Sequence, residues 1–291
     1  VDPPAAVIGA ETEWQIRGTS LEGVDQVELD GEGLSLVSLN LTKPAKTESP
    51  QTLSVRVRVD ANAQPGVRLL RLSSPHGISH PLRVRLDTLP TITRSASHSA
   101  EPCAPGVAVF GRLEPRAVHD IPLALESGER VSLDLEARRL GAPFVPVLTV
   151  LDDKQRSLAM AHETPGLQGD CRLAFRAAAK GVYHLRIHDQ LYEGGEGAFY
   201  RLRIDKAPFA SGWFPVAGVP GSSLEVELSG GACDSPRRVK LALPNQPGAV
   251  FDPGWLKSSE EWIPAPGRFL VGRQGASLAI ERESGRTLSE D

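Results

Sequence analysis

The side chains in this sequence that could hold a metal, an ion or a sugar are few and widely spaced. His184 and His188 are the best-placed imidazole pair. Four apart on an extended strand they share a face but stand about 13 Å apart, too far to chelate one ion. Their alternation with Leu185 and Ile187 instead reads as the polar face of a half-buried strand. Asp152-Asp153, followed by Lys154-Gln155, sits between two apolar runs, where paired acids bond local amides and form turns. Asp120, Glu163, Asp170 and Asp189 fall near strand ends. Loops at one end of a sandwich are where ligands bind, so these four acids are expected to converge as a binding cluster. The last candidates are aromatic: Trp213, Phe214, Trp255 and Trp262 crowd the final segment. Trp255 and Trp262 lie in loop-like stretches, Asp252-Pro253-Gly254-Trp255 and Glu260-Glu261-Trp262-Ile263-Pro264. Exposed, they would stack on sugar rings; buried, they would serve a small core.

Motifs that announce catalysis are missing. There is no Gly-x-Ser-x-Gly elbow, phosphate-binding glycine loop, HExxH helix or EF-hand loop. The chain of 291 residues carries a formal net charge of −4, which gives no global footprint for nucleic acid or an anionic membrane. No apolar run is long enough to span a bilayer, and Val1–Ala10 has neither the basic nor the apolar region of a signal peptide. Cys103, Cys171 and Cys233 lack CxxC spacing, which argues against structural zinc. They fit one disulfide plus a thiol, with Cys103–Cys171 the favoured pair because both fall in the central segment. They fit three buried thiols equally well.

The elements that must position these groups are strands. Alternation of period two recurs in Ser54–Asp60, Pro81–Asp87, Val131–Glu136, Tyr183–His188 and Leu224–Leu228, each reading as half-buried. Turn signals such as Asp30-Gly31, Gln64-Pro65-Gly66, Ser127-Gly128 and Gly194-Gly195 separate them. Polar, proline-bearing links divide the chain into residues 1–90, 91–207 and 208–291, with Leu89 to Pro105 expected as an exposed connector. Glu13–Ser20 resembles Ser223–Gly230, and in each case a second strand follows (Val27–Leu29 and Val239–Leu243). The outer segments therefore read as one kind of module flanking another. The predicted class is all-β, built as tandem β-sandwiches.

The middle segment carries the most specific pattern. Phe110-Gly111-Arg112-Leu113-Glu114-Pro115, Ala137-Arg138-Arg139-Leu140-Gly141-Ala142-Pro143, and Gly194-Gly195 closing on Tyr200-Arg201-Leu202-Arg203-Ile204 occur in an order that resembles the bacterial pre-peptidase C-terminal domain, in the form abundant in planctomycete surface proteins. The likeness spans about residues 105–205. Residues 1–90 resemble an IPT/TIG-type module, on Arg17-Gly18-Thr19-Ser20-Leu21 and Ala63-Gln64-Pro65-Gly66-Val67. The resemblance implies tandem β-sandwiches that are immunoglobulin-like, jelly-roll-like, then a second, diverged immunoglobulin-like one, forming a non-catalytic extension of an exported protein that serves adhesion, polysaccharide or surface-protein binding, or export. It also implies calcium, but the family's acidic box reads Ala100-Glu101-Pro102-Cys103 here, and another acidic turn reads Ala161-His162-Glu163-Thr164. Calcium needs six to eight oxygen ligands, so these departures count against the site.

The expectation is an extracytoplasmic, non-enzymatic scaffold or adhesion module without membrane insertion, nucleic-acid binding or a required cofactor. The alternative is a carbohydrate-binding accessory module of a secreted hydrolase or peptidase.

Overall fold

The computed structural model describes residues 1–42, 50–93, 101–233, 235–251, 253–258, 261–265 and 269–272. Across them the chain is all-β, arranged around three separate apolar cores.

The first core lies between two sheets. β1 (Ala5–Val7), β2 (Glu11–Gly18), β3 (Gln26–Leu29), β4 (Leu34–Thr42), β5 (Gln51–Val59), β6 (Gly66–Ser74), β7 (Gly77–Ile78) and β8 (Leu82–Asp87) form it. One sheet runs β2-β5-β4; the other runs β1-β8-β6-β3, with β7 paired to β6. This division of strands, with β1 parallel to β8, is immunoglobulin-like. Alternation explains the packing: Val55, Val57 and Val59 point inward, while Arg56 and Arg58 face out and pair with Glu13 and Glu11 of β2. Trp14 is fully buried because its indole N–H finds an acceptor, donating to the Ala5 carbonyl at 2.8 Å.

The middle core is larger. β9 (Thr91–Thr93), β10 (Val107–Arg112), β11 (Val118–Leu125), β12 (Arg130–Glu136), β13 (Pro146–Leu151), β14 (Ser157–His162), β15 (Cys171–Arg176), β16 (Gly181–Asp189) and β17 (Phe199–Asp205) build two facing sheets, with one 3-10 turn at Arg138–Leu140. Their orders are β15-β12-β17-β10-β9 and β11-β16-β13-β14. The expected exposed connector is corrected at its start. Thr91–Thr93 is a strand, parallel to β10, so the link from the first module becomes part of the second module's sheet. The Ser95–Ser99 stretch lies outside the described residues. The favoured disulfide is also absent: all three cysteines remain thiols. Cys103 docks on β11 with its thiol turned to the Pro122 carbonyl, whereas Cys171 opens β15 in the facing sheet.

The third core is enclosed by short strands: β18 (Gly212–Phe214), β19 (Ala217–Gly218), β20 (Ser223–Ser229), β21 (Arg237–Ala242), β22 (Val250–Phe251), β23 (Trp255–Ser258), β24 (Glu261–Pro264) and β25 (Phe269–Val271). They pair as β18-β20-β21, β19-β25-β22 and the β23-β24 hairpin. The internal repeat holds for one strand and fails for the next. β2 and β20 both follow a short strand that pairs in parallel with the last described strand of its module. But β21 pairs with β20, whereas β3 belongs to the sheet opposite β2.

A further correction concerns Pro81–Asp87 and Val131–Glu136, expected to be half-buried. β8, β12 and β17 are buried on both faces over most of their length. Their charged faces meet one another across the boundary between the first two modules.

Candidate functional site

The charged faces of β8, β12 and β17 build one continuous ion network. Asp87, in β8, receives Arg201 at 2.7 Å and Arg203 at 3.3 Å from β17. Glu136 in β12 takes Arg201 at 3.3 Å and Arg139 at 3.5 Å, and also pairs with Arg85 of β8. Asp134 binds Arg139 at 2.5 Å and Arg172 at 2.6 Å. Asp170 anchors the far end. Its carboxylate accepts the backbone N–H groups of Ala137, Arg138 and Arg139, and the Arg139 Nε–H at 2.8 Å. With Arg203 also bound to Asp205, five arginines meet five carboxylates. Register makes this arrangement: Asp134 lies opposite Arg203, and Glu136 opposite Arg201, in the β12–β17 ladder.

Burial and pairing compete in the titration of these groups. Burial would raise Asp87 and Asp134, but Arg201 and Arg203 beside the first, and Arg139 and Arg172 beside the second, outweigh it and hold both below the ordinary carboxylate value. Burial pushes the Arg85 guanidinium down to about 9, with Arg139 adding repulsion. Arg172 and Arg201 are lowered by burial as well.

Above this network all three modules meet around a cleft of about 810 Å³, within the range of small-molecule sites. Its cations are Arg68, Arg83 and Arg85 from the first module, Arg139 and Arg172 from the middle one, and Lys240 and Lys257 from the third. The described lining residues include no carboxylate. Trp255 and Trp262 complete the wall from the β23–β24 hairpin. Contacts between modules hold its shape: Arg203 lies 5.0 Å over the Trp255 ring, and Gln64 Nε2 donates to the Trp255 carbonyl at 3.3 Å. Arg172 lies 5.2 Å over Phe209, and Lys257 lies 5.9 Å over Trp262.

Several donors in this wall have no acceptor. Arg85 Nε, Arg172 Nε and Nη1, and Arg68 Nε are buried atoms without a hydrogen-bond partner among the described residues. Arg85 and Arg172 are themselves only 5% and 8% exposed.

The sequence-predicted residues divide. Trp255 and Trp262 do line the cleft, but on paired strands rather than in loops; Trp255 is buried and Trp262 half-buried. Glu163 and Asp170 bracket the loop whose Gly166, Leu167 and Gln168 form another part of the wall. That loop is tight: Gly169 has φ +93°, and a Cβ there would stand 2.7 Å from Arg138 Cδ. Asp120 is elsewhere, paired with Arg186 of β16 at 2.6 Å, and Asp189 accepts from the Glu193 and Gly194 amides to shape a turn. The four acids are therefore not gathered into one cluster, and no group of three or more metal-ligating side chains exists among the described residues. Asp152 forms the expected turn, accepting from the Lys154 and Arg156 amides. His188 stacks on Tyr192 at 4.5 Å. The cleft's cations were not anticipated, although the opposed acid and arginine alternations of β12 and β17 were visible as a signal.

No family model matches the chain. No curated protein matches it either. Among solved structures it is similar to SGBP-B of the Bacteroides ovatus mixed-linkage glucan utilization locus, solved with a mixed-linkage heptasaccharide. That likeness has a TM-score of 0.24 and 8% identity, covering 70% of this chain and 75% of that one. The secreted serine protease VesC from Vibrio cholerae gives a TM-score of 0.26 and 8% identity, over 69% of this chain and 48% of the protease. A carbohydrate-binding module of the β-sandwich superfamily gives 0.21 and 10% identity, over 67% of this chain and 97% of the module.

Proposed function

We propose that this chain is a rigid, non-catalytic scaffold of an exported protein that binds saccharide in the cleft between its three modules. The observation that carries the proposal is the pairing of Trp255 and Trp262 with a polar, donor-rich wall in one concave site. Aromatic faces pack against the apolar faces of sugar rings, and fixed donors orient hydroxyls. The described lining residues contain no Asp, Glu, His, Ser, Thr or Cys, so no carboxylate or imidazole base and no oxygen or sulfur nucleophile faces the cleft among them. That composition favours holding a ligand over transforming it. The resemblance of residues 105–205 to a domain that extends exported proteins supports the same reading. So does the balanced ion network, which fixes the first two modules as one body.

Titration calorimetry of the full chain against a panel of plant, algal and bacterial polysaccharides tests this. Binding in the micromolar to millimolar range, lost in Trp262→Ala, is the expected result. Trp262 is preferred to Trp255 for this purpose because it is less buried and does not lie beneath Arg203. A panel without a single binder, on a chain shown to be folded, removes saccharide binding and leaves a scaffold alone.

A further inference from the structure

We infer that the saccharide held in the cleft is anionic, with carboxylates or sulfate esters on its sugar rings. The inference rests on the saccharide reading above and adds the charge.

Three observations lead to it. The first is charge balance. Arg85, Arg139 and Arg172 are matched by acids below the cleft, in a network whose five arginines and five carboxylates cancel. Arg68, Arg83, Lys240 and Lys257 stand outside that network and line the same cavity. Arg68 has Asp30 nearby, but Arg83, Lys240 and Lys257 make no ion pair among the described residues, and a neutral sugar would leave them so.

The second is the set of unmade hydrogen bonds. The cleft-lining Arg85, Arg172 and Arg68 keep buried N–H donors without acceptors among the described residues. Leaving a buried donor unpaired is costly, and more so on a charged group, so these guanidinium groups gain by turning toward an acceptor that enters the cleft. Carboxylate and sulfate oxygens accept these charge-assisted bonds at short range, and the planar guanidinium fork suits two oxygens of one anion.

The third is the mixture of chemistries. The cations come from three modules and line one concave site together with the Trp255–Trp262 hairpin. A site reading only a phosphate backbone has no need of such an aromatic wall. A polymer whose sugars carry an anion on each ring uses both features.

The test uses the full chain and calorimetry at low salt with four probes: an oligogalacturonate, the same oligomer fully methyl-esterified, a sulfated galactan oligomer of equal length, and an oligodeoxythymidylate. Esterification removes charge and keeps the sugar. The acid or sulfated form is expected to bind at least about tenfold tighter than the ester, with the advantage shrinking as salt screens it. The better of the two anionic saccharides identifies the anion. Lys240→Gln with Lys257→Gln removes two exposed cations outside the buried network, and should weaken the anionic ligand about tenfold and the ester far less. Nitrogen-15 resonances of Arg85 and Arg172 Nε should shift on binding. Equal affinity for acid and ester overturns the anionic inference while saccharide binding stands. Oligodeoxythymidylate binding as tightly as either anionic sugar overturns it in favour of nucleic acid. Binding of no saccharide overturns both readings.

Discussion

Neutralising Asp87 isolates what the ion network does for the molecule. Asp87→Asn keeps the shape of the side chain and an oxygen for the Thr88 amide, but removes the charge that faces Arg201 and Arg203. At an effective dielectric of about 20, the attraction lost is about 6 kcal/mol for the 2.7 Å contact and about 5 kcal/mol for the 3.3 Å one. Desolvation already offsets much of that gross attraction, so the expected net cost is about 3–5 kcal/mol, the range for stranding one partner of a buried pair. Arg201 is fully buried and, among the described residues, retains one carboxylate, Glu136 at 3.3 Å, and the neutral Thr91 hydroxyl at 3.1 Å. The damage should appear at the boundary, because Asp87 belongs to the first module and both arginines to the second. In urea, the unaltered chain should lose these two modules in one transition and Asp87→Asn in two. Asp87→Asn with Arg201→Met restores charge balance and should recover at least half of the loss. A single-variant cost under about 1 kcal/mol, with the shared transition intact, would refute the account, since it would mean that water screens the junction.

Other consequences can be measured independently. Asp87 and Asp134 titrate below the usual carboxylate value in the folded chain, so their stabilisation is fully present above about pH 4 and falls as the pH drops toward their folded values. Amide exchange at the β8–β17 boundary should therefore be as slow at pH 5 as at pH 7, after correction for intrinsic rates, and should accelerate only below about pH 4. Burial, with Asp170 and Asp134 nearby, raises the Cys171 thiol far above its ordinary value, while Cys233 is half-buried. An aromatic disulfide reagent should label Cys233 in the native chain and reach Cys171 only on unfolding. Gly111 lies opposite Tyr200 in β10–β17, and a Cβ there would stand 2.5 Å from the phenol oxygen and 2.6 Å from Cζ. Gly111→Ala should cost about 1–3 kcal/mol in denaturant unfolding through overpacking, and should disturb the Tyr200–His119 hydrogen bond.

Strand identity was legible because alternation is local. Val55, Val57 and Val59 announce a buried face, and Glu13–Arg56 and Glu11–Arg58 behave as an exposed ladder should. The same signature misled at Arg83-Val84-Arg85-Leu86-Asp87, and Tyr200-Arg201-Leu202-Arg203-Ile204 is buried in the same way. A face of arginines normally meets water, and nothing within either strand shows that it meets acids from another module instead. The information lay in the complementarity of distant segments: Asp134 and Glu136 on β12 against Arg203 and Arg201 on β17, with Asp87 closing the set. The cleft was legible only in its tryptophans. Its cations come from three modules, and their convergence depends on docking geometry that no single stretch of sequence encodes. Asp120 and Asp189 were singled out for their place near strand ends, but short-range partners, Arg186 and the Glu193–Gly194 amides, use both.

The parallel pairing of β1 with β8 has a mechanical consequence. The two strands point the same way, so pulling the chain from its two ends draws β1 and β8 apart along their length. Their hydrogen bonds are then loaded in shear, all together, instead of opening one after another. β19 and β25 give the third module the same geometry, though with a shorter ladder. Tension along the chain would meet resistance from these short strands before either core is reached, and the first module, clamped to its neighbour through Asp87, should yield at higher force than the third.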